Sequence, residues 1–537
     1  MELPSLHGRR LRSPPITEPA DQQLTRQRAL AIGGERSQLL LTFVNSVRLD
    51  FAVTWVWHVR SLGLTNWLVG ATDRQALRKL HAGGVPCFSM RTTLPTSEWD
   101  WGSRSFKALG QYKVELIYQA ISWGLELIIT DIDALVLRDP FPFVSKWPDA
   151  GFLTTTDYLT NSTETGLESS AAFSSAFNIG YMLWRPSGLP LVIQWRERLR
   201  ADPEGRWDQG EFNMLASPFR GKKSGLEGPA LSDPKLFRCA SGVIGGILPV
   251  GLFAGGHSYF VSQFARRAGI VPYSVHTTFQ YGGAPGKRHR LREAMLWRDE
   301  DEYYDPPDGM LMYTAELPDA LLNGQVSGRP MSPSEHVMLM THQLRQIRAA
   351  LVLAHALGRR LILPQLICGL DKYWAPLGRA GVIPGAPAWA VPIQQCPLDH
   401  LFNPAELRPS PEPYVREWSV LHNPRTPNAV KASVQPVILD VTNGEGELQR
   451  LRAMRSAKVL NVTNIPATAE AIWAARPDTI GLRSSKTRVA PNRRFRLLDD
   501  DGWKSFRSRF GRLQGGWCCA PNGMQPRAAG FHLFNAE

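Results

Sequence analysis

Two aspartates, Asp131 and Asp133, close the apolar run Leu125-Glu-Leu-Ile-Ile-Thr and precede a second apolar run that stops at Pro140-Phe-Pro142. At the end of a buried strand, carboxylates at i and i+2 can turn towards one Mg²⁺ or Mn²⁺ ion. Such hard cations take one or two protein carboxylates and complete their shell with water and phosphate oxygens. A metal-held diphosphate is what an enzyme using a nucleotide sugar needs, so the pair points to glycosyl transfer. The same spacing also suits a polar strand-end turn in which Asp133 caps the next segment.

Further residues carry suitable chemistry. In Phe177-Asn-Ile-Gly180, the Asn178 amide suits a sugar hydroxyl, and Gly180 lets backbone approach a ligand closely. A bulge in a strand explains the same triplet. Asp208 and Gln209 open a helix in Trp207-Asp-Gln-Gly-Glu-Phe-Asn213, where Asp208 either caps the helix or faces the sugar and the incoming hydroxyl. His257 and His276 lie in segments rich in glycine and aromatics, and a neutral imidazole supplies a third metal ligand; a buried histidine with a structural partner is the ordinary alternative. Lys287 and Arg288, just beyond Gly282-Gly283, carry the charge that a leaving diphosphate requires. The phosphate loop, nucleophile elbow and His-Glu-x-x-His zinc motif are all missing, which leaves kinase, serine-hydrolase and zinc-protease chemistry unsupported.

The elements that must position these groups alternate. Leu39–Val44, Asn66–Ala71 and Val85–Phe88 read as strands, Arg48–Ser61, Arg74–His81 and Ser105–Trp123 as helices, and the last helix runs into the strand that ends at Asp131. This alternation predicts an α/β sheet of mostly parallel strands, in which ligands sit beyond the strands' carboxyl ends. Residues 244–292 read as loops closing over a site, and residues 403–435 as an insertion rich in proline and asparagine. We expect a disordered segment at 1–36, a catalytic domain at 37–330 and a C-terminal α/β accessory domain at 331–537.

Composition sets outer bounds. The chain has 537 residues, too many for one ordinary core, and 43% hydrophobic with 20% charged residues is the balance of a globular protein. A net charge of +13 favours anionic partners such as nucleotide diphosphates. Part of that charge sits in Lys287-Arg-His-Arg-Leu-Arg292 and part in residues 483–512, and both clusters also fit solvated basic faces. No nucleic-acid-binding motif accompanies them. Six cysteines are too few for a disulfide scaffold and lack zinc-site spacing. Two glycosylation triplets, at Asn161 and Asn461, matter only on the secretory route. No apolar stretch is long enough for a membrane span, and the polar, basic N-terminal segment lacks the apolar core of a signal peptide.

Taken in order, the acidic pair, Asn178-x-Gly180, Asp208-Gln209-x-x-Phe-Asn213 and a late histidine with glycine and lysine resemble the GT-A type of metal-dependent glycosyltransferase. They are similar to the glycogenin-like retaining enzymes. Leu41-Thr-Phe-Val-Asn-Ser-Val-Arg-Leu-Asp-Phe-Ala, Leu64-Thr-Asn-Trp-Leu-Val-Gly-Ala, Val275-His-Thr-Thr-Phe-Gln-Tyr, Gly286-Lys-Arg-His-Arg-Leu-Arg-Glu, Cys396-Pro-Leu-Asp-His and Gly516-Trp-Cys-Cys more closely resemble the plant and algal nucleotide-diphospho-sugar transferases of the extensin arabinosyltransferase type. The resemblance runs from about residue 38 to 520. It implies a GT-A domain with Mn²⁺ or Mg²⁺ on Asp131, Asp133 and His276, the last preferred to His257. It also implies donor contacts from Asp131, Asp133, Gly180, Lys287 and Arg288, and a sugar site lined by Asn178, Asp208 and Gln209. The activity implied is retaining transfer of L-arabinofuranose from UDP-arabinofuranose to arabinosides on hydroxyproline-rich glycoproteins in the Golgi, with no general base assigned. Members of the family usually begin with a membrane anchor, which is not seen here. The second domain, with His342-Gln343 and Arg360-Leu-Ile-Leu-Pro364, resembles part of an O-fucosyltransferase-type fold and reads as structural or acceptor-binding. Two other readings fit the same residues: a related transferase moving xylose or galactose from UDP onto a wall polysaccharide, and a non-catalytic scaffold that keeps the fold.

Overall fold

Successive residues of the apolar runs bury opposite faces of one sheet. Leu39, Leu41 and Phe43 join Leu127, Ile129 and Trp184 in a core on one side, while Leu40, Val69, Ile128 and Leu183 join the core on the other. A strand buried on both faces needs helices on both sides, which is why polar residues are scarce in these runs. The computed structural model describes residues 22–97, 102–160, 163–202, 205–217, 231–280, 282–326, 333–368, 394–407, 414–475, 497–511, 513–516 and 530–532.

The first unit has strands β1 (Gln38–Val44), β2 (Trp67–Ala71), β3 (Cys87–Ser89), β4 (Glu126–Thr130), β5 (Ala134–Val136), β6 (Phe152–Thr156), β7 (Phe177–Trp184), β8 (Phe237–Arg238), β9 (Ile244–Ile247), β10 (Phe253–Gly255) and β11 (Ser274–His276). Its helices are α1 (Arg26–Gly33), α2 (Leu49–Ser61), α3 (Arg74–Ala82), α4 (Arg104–Ser122), α5 (Phe141–Val144), α6 (Leu189–Ala201), α7 (Asp208–Ala216), α8 (Phe264–Arg267) and α9 (Gly283–Glu293). Eight strands form a sheet in the order β3-β2-β1-β4-β7-β6-β9-β8. The β1–β2, β1–β4, β2–β3 and β6–β9 pairs are parallel, whereas β7 runs antiparallel to both β4 and β6. A small sheet, β10-β11-β5, is joined to the end of β4 through the residues 131–133 that link β4 to β5.

Three expectations change. Residues 26–33, expected to be disordered, form α1, because Ala29 and Gly33 pack beneath the sheet edge and Arg28 Nη2 donates to the Cys87 carbonyl at 2.9 Å. Residues 244–292 contain β9, β10, β11 and α9, and much of the segment is core: Phe253, Val275 and Leu291 are buried. The division expected at 330 lies inside the second unit. There β12 (Met310–Tyr313) is the central strand of a five-stranded sheet with β13 (Arg360–Ile362), β16 (Val415–Arg416), β17 (Val434–Val437) and β18 (Val459–Val462), in the order β16-β13-β12-β18-β17. All its pairs are parallel.

The segment 403–435 therefore contributes an edge strand, and Arg416 in it is fully buried. Pro333–Leu357 is the long helix against this sheet, and Gln343 on it bonds both the amide and the carbonyl of Ile367 at 2.9 Å. Asn461 is a half-buried residue of β18, paired on both sides, so this triplet presents no loop for glycosylation. Asn161, Cys518, Cys519 and most of the second basic cluster lie outside the described residues. Among the described residues no helix is long and apolar enough to cross a membrane.

A hairpin of β14 (Leu366–Cys368) and β15 (Gln394–Cys396) is closed by a Cys368–Cys396 disulfide between cysteines 28 positions apart in sequence. Cys87 and Cys239 are buried thiols. Closing a loop of this length lowers the entropy of the unfolded chain and stabilises the fold by about 3 kcal/mol. Equilibrium denaturation should show Cys368→Ser losing stability of that order, with reductant removing the difference between wild type and variant.

Candidate active site

The junction of the two sheets explains the site. β4 ends at Thr130, the Asp131 amide donates to the Gly180 carbonyl at 2.8 Å, and the Ala134 amide turns back onto the Asp131 carbonyl at 3.0 Å. The chain then enters β5, whose Ala134 lies opposite His276 in β11. This register sets the imidazole beside the acidic pair. His276 Nε2 is 3.9 Å from Asp131 Oδ2 and 3.6 Å from Asp133 Oδ1, and ligand atoms of all three residues lie within 4.8 Å of one another. These gaps are too long for good hydrogen bonds and short enough for one cation to bridge. The donor set, two carboxylate oxygens and one imidazole nitrogen, suits Mn²⁺ or Mg²⁺ with positions left for phosphate oxygens.

Each carboxylate's other oxygen meets an ammonium group. Lys113 on α4, itself buried, reaches Asp131 Oδ1 at 2.7 Å and the Ile179 carbonyl at 2.6 Å. Lys287 on α9 reaches Asp133 Oδ2 at 2.5 Å, and Thr277 Oγ1 donates to the same oxygen at 2.8 Å. Burial alone would push the Asp133 carboxyl up, but Lys287 and His276 outweigh it and hold it well below the usual range. Asp133 is therefore an anion throughout the physiological range. His257 is buried in the helical turn His257–Val261 and takes no part in the triad.

Gly180 has a use the sequence did not reveal. β7 bulges against β6, so that Thr154 pairs with Met182 while Thr155 pairs with Asn178. The bulge frees the Ile179 carbonyl for Lys113 and the Ile179 amide for Gln209 Oε1 at 3.4 Å. A Cβ on Gly180 would stand 2.1 Å from His276 Cε1, so the missing side chain makes room for the imidazole. Asn178 is committed to neighbours: its amide donates to Asp157 at 2.8 Å and accepts from the Gly180 amide at 2.9 Å.

Helix α7 is tied to β7 by Asn213, whose side chain accepts from the Phe177 amide at 2.8 Å and donates to the Phe177 carbonyl at 3.0 Å. This brings Asp208 and Gln209 to the site. Asp208 rests on α4 where Gly110 leaves space, since a Cβ there would lie 2.5 Å from its carboxyl carbon. Burial pushes its pKa up to about 6, with Asp131 adding to the rise and Lys113 and the Gln209 amide opposing it. Beside Gln209 opens a cavity of about 310 Å³, lined by Trp207, Asn213, Phe173 and Ser175 among others. Arg288 is directed elsewhere: it pairs with Asp50 and lies 5.0 Å over the Phe51 ring, on α2.

Lys113, Asp157 and Thr277 were not anticipated. Only Lys113 left a trace in the sequence, as the one lysine on the apolar face of α4 beside Gly110, Val114 and Ile117.

Two outcomes follow from these contacts. Gly180→Ala should lower the thermal midpoint, since the added Cβ overpacks the buried imidazole, and should raise the Mn²⁺ dissociation constant measured by calorimetry about tenfold or more if the displaced imidazole ligates the metal. Asp208 is ionised in the unfolded chain above about 3.8 but in the folded chain only above about 6, so raising the pH through that window costs stability. In metal-free buffer, Asp208→Asn should thus be more stable than wild type by up to about 3 kcal/mol at pH 8, an advantage shrinking between pH 6 and 4. An advantage that is constant with pH would contradict this assignment.

Comparison with known proteins agrees with the geometry. Residues 62–291 match the nucleotide-diphospho-sugar transferase family. Arabinosyltransferase XEG113 of Arabidopsis thaliana is 36% identical over 508 residues, covering 91% of this chain and 76% of its own. Beta-arabinofuranosyltransferase RAY1 of the same plant is 23% identical over 101 residues, 18% of this chain and 19% of its own. Among solved structures, galactosyltransferase LgtC aligns with 47% of this chain and 89% of its own at 14% identity and a TM-score of 0.28. Mouse xyloside xylosyltransferase 1 aligns with 45% and 98% at 12% identity and a TM-score of 0.26. The chain belongs to the nucleotide-diphospho-sugar transferase family and is a glycosyltransferase.

Proposed function

We propose that this enzyme transfers L-arabinofuranose, with retention of configuration, from UDP-arabinofuranose to hydroxyproline-linked arabinosides of extensin-like glycoproteins. The observation that carries the reading is the cluster of Asp131, Asp133 and His276 set between Lys113 and Lys287. The choice of sugar is supported by the identity to an arabinosyltransferase over 91% of the chain. Work in the Golgi is supported by the Cys368–Cys396 bond, since disulfides form and persist in oxidising compartments.

Mn²⁺ or Mg²⁺ on Asp131, Asp133 and His276 would supply positive charge and Lewis acidity to the diphosphate of the donor. The chain's own groups do the rest. Lys287, held against Asp133, puts its charge where an oxygen of the departing diphosphate would lie, and a fixed cation there stabilises developing charge. Lys113 stays with Asp131 and holds that carboxylate in place. Asp208 and Gln209, beside Lys113 and the bulge of β7, face the sugar, while Asn178 and Asp157 fix the bulge from the other side. The cavity at Trp207 suits the acceptor glycan, because an indole face stacks on a sugar ring and the Asn213 and Ser175 side chains bond hydroxyls. Gly180 serves the donor site through His276, and Arg288 acts at a distance by bracing α9 on α2.

A screen of UDP-arabinofuranose, UDP-xylose and UDP-galactose with an arabinosylated hydroxyproline peptide tests the proposal. Transfer from UDP-arabinofuranose should require Mn²⁺ or Mg²⁺ and stop with EDTA, and Asp133→Ala should lower kcat/KM at least about a hundredfold. Turnover that survives EDTA, or an Asp133→Ala variant of wild-type activity, would refute the metal assignment. Preference for another UDP sugar would refute the choice of donor.

A further inference from the structure

Helix α9 makes a different contact with nearly every side chain between 287 and 293. Lys287 reaches into the site, Arg288 pairs with Asp50 and Leu291 is buried in the core of the first unit. The others turn to the second unit or to the segment leading into it. Arg290 forms a two-point ion pair with Asp399, at 2.9 and 3.3 Å, and both side chains are 0% exposed. His289 lies between Glu293 at 3.4 Å and Glu417 at 3.3 Å. The Arg292 carbonyl accepts from Ser419 at 3.2 Å and its guanidinium pairs with Asp299 at 2.6 and 2.9 Å. Glu293 accepts from the Leu398 amide at 3.3 Å. The basic cluster of the sequence is thus a buried set of paired groups and not a solvated face.

We propose that Asp399 and Glu417 of the second unit are positioning residues for the donor site, holding α9 so that Lys287 meets Asp133 and the diphosphate. The inference rests on the donor-site reading above. An α-helix turns 100° per residue, so a slip of one residue or a modest rotation carries Lys287 off Asp133. What prevents the slip is a fork of two parallel hydrogen bonds: the planar guanidinium of Arg290 fits one carboxylate in one orientation only. Asp399 is itself anchored, because its turn, Leu398–His400, begins two residues after the disulfide-bonded Cys396. Glu417 follows directly on the edge strand β16 and also accepts from the Tyr303 hydroxyl. The second unit thereby completes the site without supplying a group that touches the donor.

The test is a double-mutant cycle on the full-length chain, reading calorimetric binding of UDP in the presence of Mn²⁺ together with KM and kcat for the UDP-sugar donor. Arg290→Lys keeps the charge but loses the fork. It should weaken UDP binding and raise the donor KM about tenfold, since small misplacements of a positioned group have effects of that size or more. Lys287→Ala should weaken UDP binding at least as much, and the double variant should bind no worse than Lys287→Ala alone. Multiplying losses, or unchanged UDP binding in Arg290→Lys, would overturn the positioning role while Asp133→Ala still abolishes binding. If neither Asp133→Ala nor Lys287→Ala alters UDP binding, the donor-site reading itself fails. Should Arg290→Lys lose the native circular dichroism spectrum, Glu417→Gln takes its place in the cycle, as it removes the charge facing His289 and keeps an acceptor for Tyr303.

Discussion

Mutual repulsion between two carboxylates at one strand end is the constraint around which this protein is arranged. Asp131 and Asp133 are two residues apart and Asp133 is buried, so without compensation one of them would take up a proton. Three cationic or metal-ligating groups answer this, each from a different element: Lys113 from α4, His276 from β11 and Lys287 from α9. The balance leaves Asp133 strongly ionised. Between the carboxylates and the imidazole it also leaves a gap of a size that one divalent cation could bridge. The two carboxylates and the gap belong to one arrangement, because the contacts that compensate the charge of Asp133 also orient the pair towards the imidazole.

Close packing at this centre depends on missing side chains. The imidazole of His276 lies where a Cβ of Gly180 would be, and the carboxyl of Asp208 lies where a Cβ of Gly110 would be. Two strands, β7 and β11, meet at the first of these points, and two helices, α4 and α7, at the second. The bulge of β7 between them turns ordinary backbone groups, the Ile179 carbonyl and amide, into partners for Lys113 and Gln209. A strand without the bulge would direct those groups into the ladder with β6 and leave a buried ammonium with one partner fewer, a costly arrangement.

The acidic pair at a strand end, the strand–helix alternation around it and the α/β class were legible because they rest on local pattern: apolar runs buried on two faces and helices of period 3.6. Asp208, Gln209 and His276 were legible by type. Their contacts were not. Asn178 read as a sugar ligand yet holds Asp157 and Gly180, and Arg288 read as a phosphate ligand yet holds Asp50. Lys113 passed unnoticed although it stands on the apolar face of α4, because the groups it meets, Asp131 and the Ile179 carbonyl, lie on other elements. The division between units was misplaced for a similar reason, since Met310–Tyr313 is too short to be recognised as a strand and becomes central only by pairing with residues 50 to 150 positions away.

By itself, then, the order of residues determined which groups of the right chemistry existed and which local elements carried them, since hydrophobic periodicity and residue type act over a few positions. The tertiary structure alone decided which of those groups meet. The pairing of β5 with β11 carries His276 to an acidic pair some 140 residues earlier, and the grip of Asp399 and Glu417 on α9 carries Lys287 to the same place. Contacts of that range are settled by sheet register and by the geometry of buried ion pairs, neither of which leaves a mark in any short stretch of chain.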